Sequence, residues 1–156
     1  VADDEIENKV VFKKKQLINK AIIKFDAMTP EKKKKVARLL GLPVSDDSKE
    51  EAVYNQVDNL LKQTEFKNGK YQGLNPIEVF NRFADMKENL LHIKDLVKQA
   101  IAHSVYRVRP NGKVYEGEFE IAKDEDDLVK FLADEDNQDQ LLTLEGKLKG
   151  KKIASI

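Results

Sequence analysis

Residues 76–103 read PIEVFNRFADMKENLLHIKDLVKQAIAH, and the way this stretch folds decides the architecture. Val79, Phe83, Met86, Leu90, Ile93, Val97 and Ala100 recur at alternating spacings of four and three, which keeps one apolar stripe in line along a helix. Ile77, Phe80, Ala84, Leu91, Leu96 and Ile101 widen that stripe. Asn75-Pro76-Ile77-Glu78 supplies a cap, a proline at the first helical position and an acid for the reciprocal bond. The spacing predicts one unbroken helix from Pro76 to His103. Its apolar side must be covered by the rest of the chain or by a partner, so Val79, Phe83, Met86, Leu90, Ile93 and Val97 are candidate contact residues.

Upstream, residues 1–9 read as a frayed acidic lead, and Phe12 to Phe25 suits a helix with Leu17, Ile18, Ala21, Ile22 and Phe25 on its apolar face. Thr29-Pro30 restarts helix, and Gly41 with Pro43 stops it. Ser45 to Ser48 opens a third helix, with Asp47–Glu50 or Ser48–Glu51 placed for a capping box. Residues 64–74 then form a connection.

Downstream, the period changes from helix to strand. Val105–Arg109 and Lys113–Ile121 flank Pro110-Asn111-Gly112, and Asn-Gly is a favoured two-residue hairpin turn. That turn sets Val108 against Tyr115. Tyr106, Val108, Tyr115, Phe119 and Ile121 then point inward. Asp124 caps a short helix, and a second short helix carries Leu141, Leu142, Leu144 and Leu148, weakened by Gly146 and Gly150.

The fold expected is mainly α (α+β): a helical domain around one long central helix with one antiparallel hairpin near 105–121. Residues 1–63 form an N-terminal helical part and 64–156 the remainder, with a hinge at 64–74.

The formal net charge is zero, so bulk charge gives no pull toward nucleic acid or membrane. There is no cysteine, which excludes disulfides, thiolate metal sites and cysteine nucleophiles. The acidic opening lacks the basic start and apolar run of a signal peptide, and no apolar stretch approaches membrane-spanning length. Charge is nevertheless segregated. Residues 13–35 carry nine lysines against Asp26 and Glu31, and residues 124–139 carry eight acids against Lys130.

Phosphate-loop, dinucleotide, nucleophile-elbow and zinc-helix patterns are absent. His92 and His103 sit about 16 Å apart along one helix, too far to share a metal. Asp134, Asp136, Gln138 and Glu145 match positions one, three, five and twelve of a calcium loop, but Asp139 stands where that loop needs glycine. No nucleophile, base and orienter share a plausible spacing. The chain therefore reads as a non-catalytic structural or interaction protein, a subunit or accessory component of a larger assembly. It needs no cofactor and no metal, its partners are proteins (further copies or other subunits), and no membrane is involved.

Two other readings stand beside it. One is a nucleic-acid-binding module using Lys13, Lys14, Lys15, Lys32, Lys33, Lys34 and Lys35, less favoured because base-reading residues are scarce there. The other is a metal-dependent enzyme or calcium-binding protein using the acidic 124–145 region. A small, cysteine-free, lysine- and aspartate-rich chain fits an assembly component, a phage virion component among them, but no motif carries a resemblance to any family. The expected location is cytoplasmic, or the virion if the chain is viral.

Overall fold

The computed structural model describes residues 2–154, with side chains from residue 3 on. Among these residues lie seven α-helices and a three-stranded antiparallel sheet, so the chain is mainly helical. It divides into two compact units, Val1–Met86 and Lys87–Ile156.

The first unit holds α1 (Ala2–Asp26), α2 (Pro30–Leu39), α3 (Glu50–Leu61) and α4 (Pro76–Ala84). Thr29 Oγ1 accepts from the Lys32 amide at 3.2 Å, and Asn75 Oδ1 accepts from Ile77 at 2.9 Å, so two helix starts follow their local capping signals. The α3 start does not. Ser48 Oγ instead accepts from the Ser45 amide at 2.9 Å, and Lys49 caps α3 without a side-chain bond. The core gathers Phe25, Val36, Val53, Leu61, Val79 and Phe80. Phe25 and Phe80 meet edge-on with centroids 6.2 Å apart.

The connection at 64–74 is packed rather than hinge-like. Phe66 is buried, its amide donates to the Leu74 carbonyl at 3.0 Å, and Tyr71 stands edge-on to Phe83. The division between units falls at Met86 and Lys87 instead.

That division overturns the single long helix. Helix α4 ends at Ala84, and α5 (Glu88–Ala102) starts after Lys87, which is extended at φ −59°, ψ 140°. Distant cations complete the end of α4. The Lys32 ammonium donates to the Ala84 carbonyl at 3.2 Å, and Lys24 pairs with Asp85 at 2.6 Å. Orphan carbonyls and the negative end of the helix dipole both favour such cations. The apolar spacing runs straight through the break, but its two halves serve two cores. Val79 and Phe83 are buried in the first unit; Ile93 and Val97 are buried in the second.

The second unit contains α5, β1 (Arg107–Val108), β2 (Val114–Glu116), β3 (Phe119–Ala122), α6 (Glu125–Ala133) and α7 (Gln138–Ala154). Ile93, Val97, Val114, Leu128, Leu132 and Leu144 share its core. Helix α5 ends with Ser104 at φ +62°, the Ser104 amide bonded to Ile101 and the Val105 amide to Ala100. This is the paired-carbonyl ending usually given to glycine.

The sheet has three strands, and its register differs by one residue from the Asn-Gly expectation. Val108 pairs with Val114, and Arg107 with Tyr115. Pro110 is the cause. Its fixed φ suits the first central position of a turn, so Pro110-Asn111 turn and Gly112 follows at φ +83°. The Gly112 amide donates to Arg109 at 2.8 Å, and the Arg109 amide to Lys113 at 3.1 Å, closing a three-residue loop. A slip of one residue exchanges the faces of a strand. Val114 is therefore fully buried, and Tyr115 instead carries the Arg109 guanidinium 3.9 Å from its ring centre. Phe119, Ile121 and Val108, all expected inside, are exposed. Helix α7 runs through Gly146 and Gly150 because Leu144 and Leu148 are buried on one face.

Candidate interaction surface

Helix α1 begins at Ala2, so residues 2–9 of the stretch read as a frayed lead are helical. Asp3, Asp4 and Glu5 lie in the first turn, where the helix dipole favours acids, and the Glu5-to-Lys9 spacing adds a favourable charge pair. The far end is anchored. Ala21 and Phe25 are buried, and Phe25 packs against Phe80 and Tyr54. Lys24 reaches Asp85 at 2.6 Å and Asn81 Oδ1 at 3.4 Å.

Between these ends, every residue from Asp3 to Leu17 is exposed. That stretch includes Ile6 at 60%, Val10 at 59%, Val11 at 50%, Phe12 at 62% and Leu17 at 53% exposure. At a helical turn of about 100° per residue, Ile6, Val10 and Leu17 fall within roughly 40° of one line. Val11 continues the line of Ile18 and Ile22, and Phe12 stands on another side. Around these residues the charge is polar along the axis. Asp3, Asp4, Glu5 and Glu7 precede, and Lys9, Lys13, Lys14, Lys15 and Lys20 follow.

The residues singled out by the sequence divide sharply. Of the expected contact stripe, Val79, Phe83, Ile93 and Val97 are buried within their own units, and Met86 and Leu90 are half-buried. That stripe is core rather than a surface, which corrects the expectation. Lys13, Lys14 and Lys15 are exposed on α1, as a charge-reading surface requires. The second lysine run is engaged within the fold. Lys32 caps α4, Lys34 donates to the Asp46 carbonyl at 2.7 Å, and Lys35 is half-buried. Lys33 is buried, 2.8 Å from Glu50 and 3.7 Å from Asp26. The hydrogen bond that Lys33 donates to Glu50 raises the Lys33 ammonium above the usual lysine range, and the same bond holds the Glu50 carboxyl low.

The acidic region acts on backbone. Asp124 Oδ1 accepts from the Asp127 amide at 2.7 Å, and Asp134 Oδ1 from the Asp136 amide at 3.0 Å. The stretch matched to a calcium loop is a 3₁₀ turn at Glu135–Asn137 followed by α7, a geometry that does not wrap an ion. Among the described residues no three histidines or acids converge on one point. His92 faces Glu145 at 3.4 Å, on α7.

A cleft of about 370 Å³ opens in the second unit between Tyr106, Glu116, Ile121, Phe131, Thr143 and Lys147. Lys147 and Glu116 satisfy each other at 2.9 Å, and Asp139 also lines the cleft. Burial, with Glu116 adding to it, pushes the Tyr106 hydroxyl above the usual tyrosine range.

The surface on α1 was missed where the sequence was read as a lead. Its signal was present in the four-residue step from Ile6 to Val10 and the seven-residue step on to Leu17, beneath an acidic first turn. No helix of the described residues is long and apolar enough to cross a membrane. Comparison with protein-family models, with curated proteins and with solved structures finds no match.

Proposed function

We propose that this chain is a non-catalytic interaction protein, a subunit or accessory component of a larger assembly, and that it engages its partner through residues 3–17 of α1. One observation carries the reading: five large apolar side chains stand exposed within residues 3–17 of a helix whose buried residues lie near its C-terminal end. Isolated helices of this length are marginal in water, and their stability comes from covering an apolar face. A contiguous exposed apolar strip marks a contact site on a folded protein. The cleft of the second unit supports the non-catalytic side of the reading. Its one lysine, Lys147, is paired with Glu116, and its phenol is displaced away from neutral pH.

Nucleic-acid binding keeps one observation in its favour, the exposure of Lys13, Lys14 and Lys15. Asp3, Asp4, Glu5 and Glu7 on the same helix oppose a phosphate backbone, and the second lysine run is occupied within the fold. Binding to a duplex at low salt, falling steeply as salt rises, would favour that rival.

The test is the native mass of the chain in an undisturbed extract of the cells that make it. We expect a complex well above the 17.8 kDa of one copy. Ile6→Asp with Leu17→Asp releases the chain at that mass. The purified variant keeps a cooperative melt, because both positions lie outside the buried core. A parent chain that runs as a single copy in the extract would defeat the reading.

A further inference from the structure

We propose that the exposed part of α1 is covered by the same part of a second copy of this chain, the two helices side by side and antiparallel, with Ile6 against Leu17 of the partner and Glu7 against Lys14 of the partner. This rests on α1 being the contact surface and names what covers it.

The charge order along α1 decides the occupant. Its acids, Asp3 to Glu7, occupy one end of the exposed stretch, and Lys13, Lys14, Lys15 and Lys20 the other. A two-fold contact uses one patch twice, so the patch must complement itself. Antiparallel pairing lays each acidic end on a lysine end. Parallel pairing would stack acid on acid and lysine on lysine, which is repulsive. An anionic membrane or a phosphate backbone would meet the lysines favourably and the acids unfavourably, and only the reversed copy satisfies both.

The apolar line fixes the register. Asp3, Ile6, Val10, Lys13, Leu17 and Lys20 follow alternating steps of three and four, the spacing of a two-helix seam. Reversing one copy about a two-fold axis between Val11 and Phe12 sets Ile6 on Leu17, Val10 on Lys13 and Asp3 on Lys20, each contact occurring twice. The lysine stem covers Val10 while its ammonium stays in water. Glu7 and Lys14 lie seven residues apart on one flank of the seam, so each faces the other across it. The seam spans about 27 Å at the helical rise per residue. Neither Glu7 nor Lys14 is buried in the unit, so both are open to such a contact.

The chain has no cysteine, which makes the register directly readable. The whole protein is measured by light scattering on a sizing column across a dilution series. It is expected at twice 17.8 kDa when concentrated. Glu7→Lys or Lys14→Glu alone turns two attractions into two repulsions and weakens the dimer by about tenfold or more. Mixing those two variants restores a one-to-one dimer, which a folding defect could not do. Ile6→Cys with Leu17→Cys gives a covalent dimer on mild oxidation. Within one helix those positions lie about 16 Å apart, beyond disulfide reach, so the link joins two chains. Ile6→Cys alone gives no such link.

A purified chain that stays single at every concentration overturns the proposal. So does a covalent dimer from Ile6→Cys alone, which reports parallel helices. If the purified chain is single while the extract holds a larger complex, self-pairing is wrong, the assembly reading stands, and a different protein covers α1.

Discussion

Lys33 lies at 6% exposure with its ammonium 2.8 Å from Glu50 and 5.9 Å from the centre of the Phe25 ring. Its stem packs while its charge is held by two exposed acids. The Lys33 value is raised, so its share of stability is present below the ordinary lysine value and fades as pH rises through the folded one. The Glu50 value is lowered, so its share is present above the ordinary glutamate value and fades as pH falls through the folded one. The stability difference between the parent and Lys33→Met should therefore be flat from about pH 6 to pH 9 and shrink on either side, as followed by denaturant titration. Lys33→Glu places a third carboxylate in that pocket and should destabilise by about 2–4 kcal/mol. The sheet offers a second test at this scale. Val114 is fully buried and Phe119 is 79% exposed. Val114→Asp should lower stability by more than about 4 kcal/mol, and Phe119→Asp by less than about 0.5 kcal/mol, in thermal or denaturant unfolding. Equal effects would restore the Asn-Gly register.

Among the elements, the junction at Asp85–Lys87 is the most informative. Lys87 is extended and Glu88 is the first residue of α5, where proline fits on both sides. Glu88→Pro should change stability by less than about 1 kcal/mol, whereas inside a continuous helix it would cost about 3 kcal/mol or more. A loss of that larger size on calorimetry would mean that the helix is unbroken. The end of α5 makes the complementary point. Gly41 and Ser104 occupy equivalent positions after α2 and α5, both at positive φ. Ser104→Gly should raise stability by about 1 kcal/mol, seen as a higher melting temperature. What was legible in the sequence follows the same division. Thr29, Asn75 and Asp124 announce their helices because the atoms they bond lie two or three residues away. Asp85 does not announce a stop, because the groups that complete it, Lys32 and Lys24, come from helices far upstream. The heptad-like spacing across Met86 is satisfied equally by one helix with one partner and by two helices with two cores. Of the candidate surface, Lys13 to Lys15 could be read directly. The spacing of Ile6, Val10 and Leu17 marks a helical face, but only the fold shows that this face is left uncovered.

For the whole molecule, each unit has its own buried core. Residues 1–86 and 87–156, prepared separately, should each give a helical spectrum and a cooperative melt. A piece that melts without a transition would show that its core depends on the other. The expectation of a hinge at 64–74 placed the division too early, because Asn68-Gly69 reads as a turn between Phe66 and Tyr71, while the contact that fastens the connection to its unit, Tyr71 on Phe83, is tertiary.

The lysines of the projecting helix also carry a temporal meaning. The peptide bonds that follow Lys9, Lys13, Lys14, Lys15 and Lys20 lie open to a trypsin-like protease, on a segment whose local opening has little packing to resist it. On the pairing proposed for α1, a solitary molecule is trimmed early, while one whose helix has found its mate is shielded.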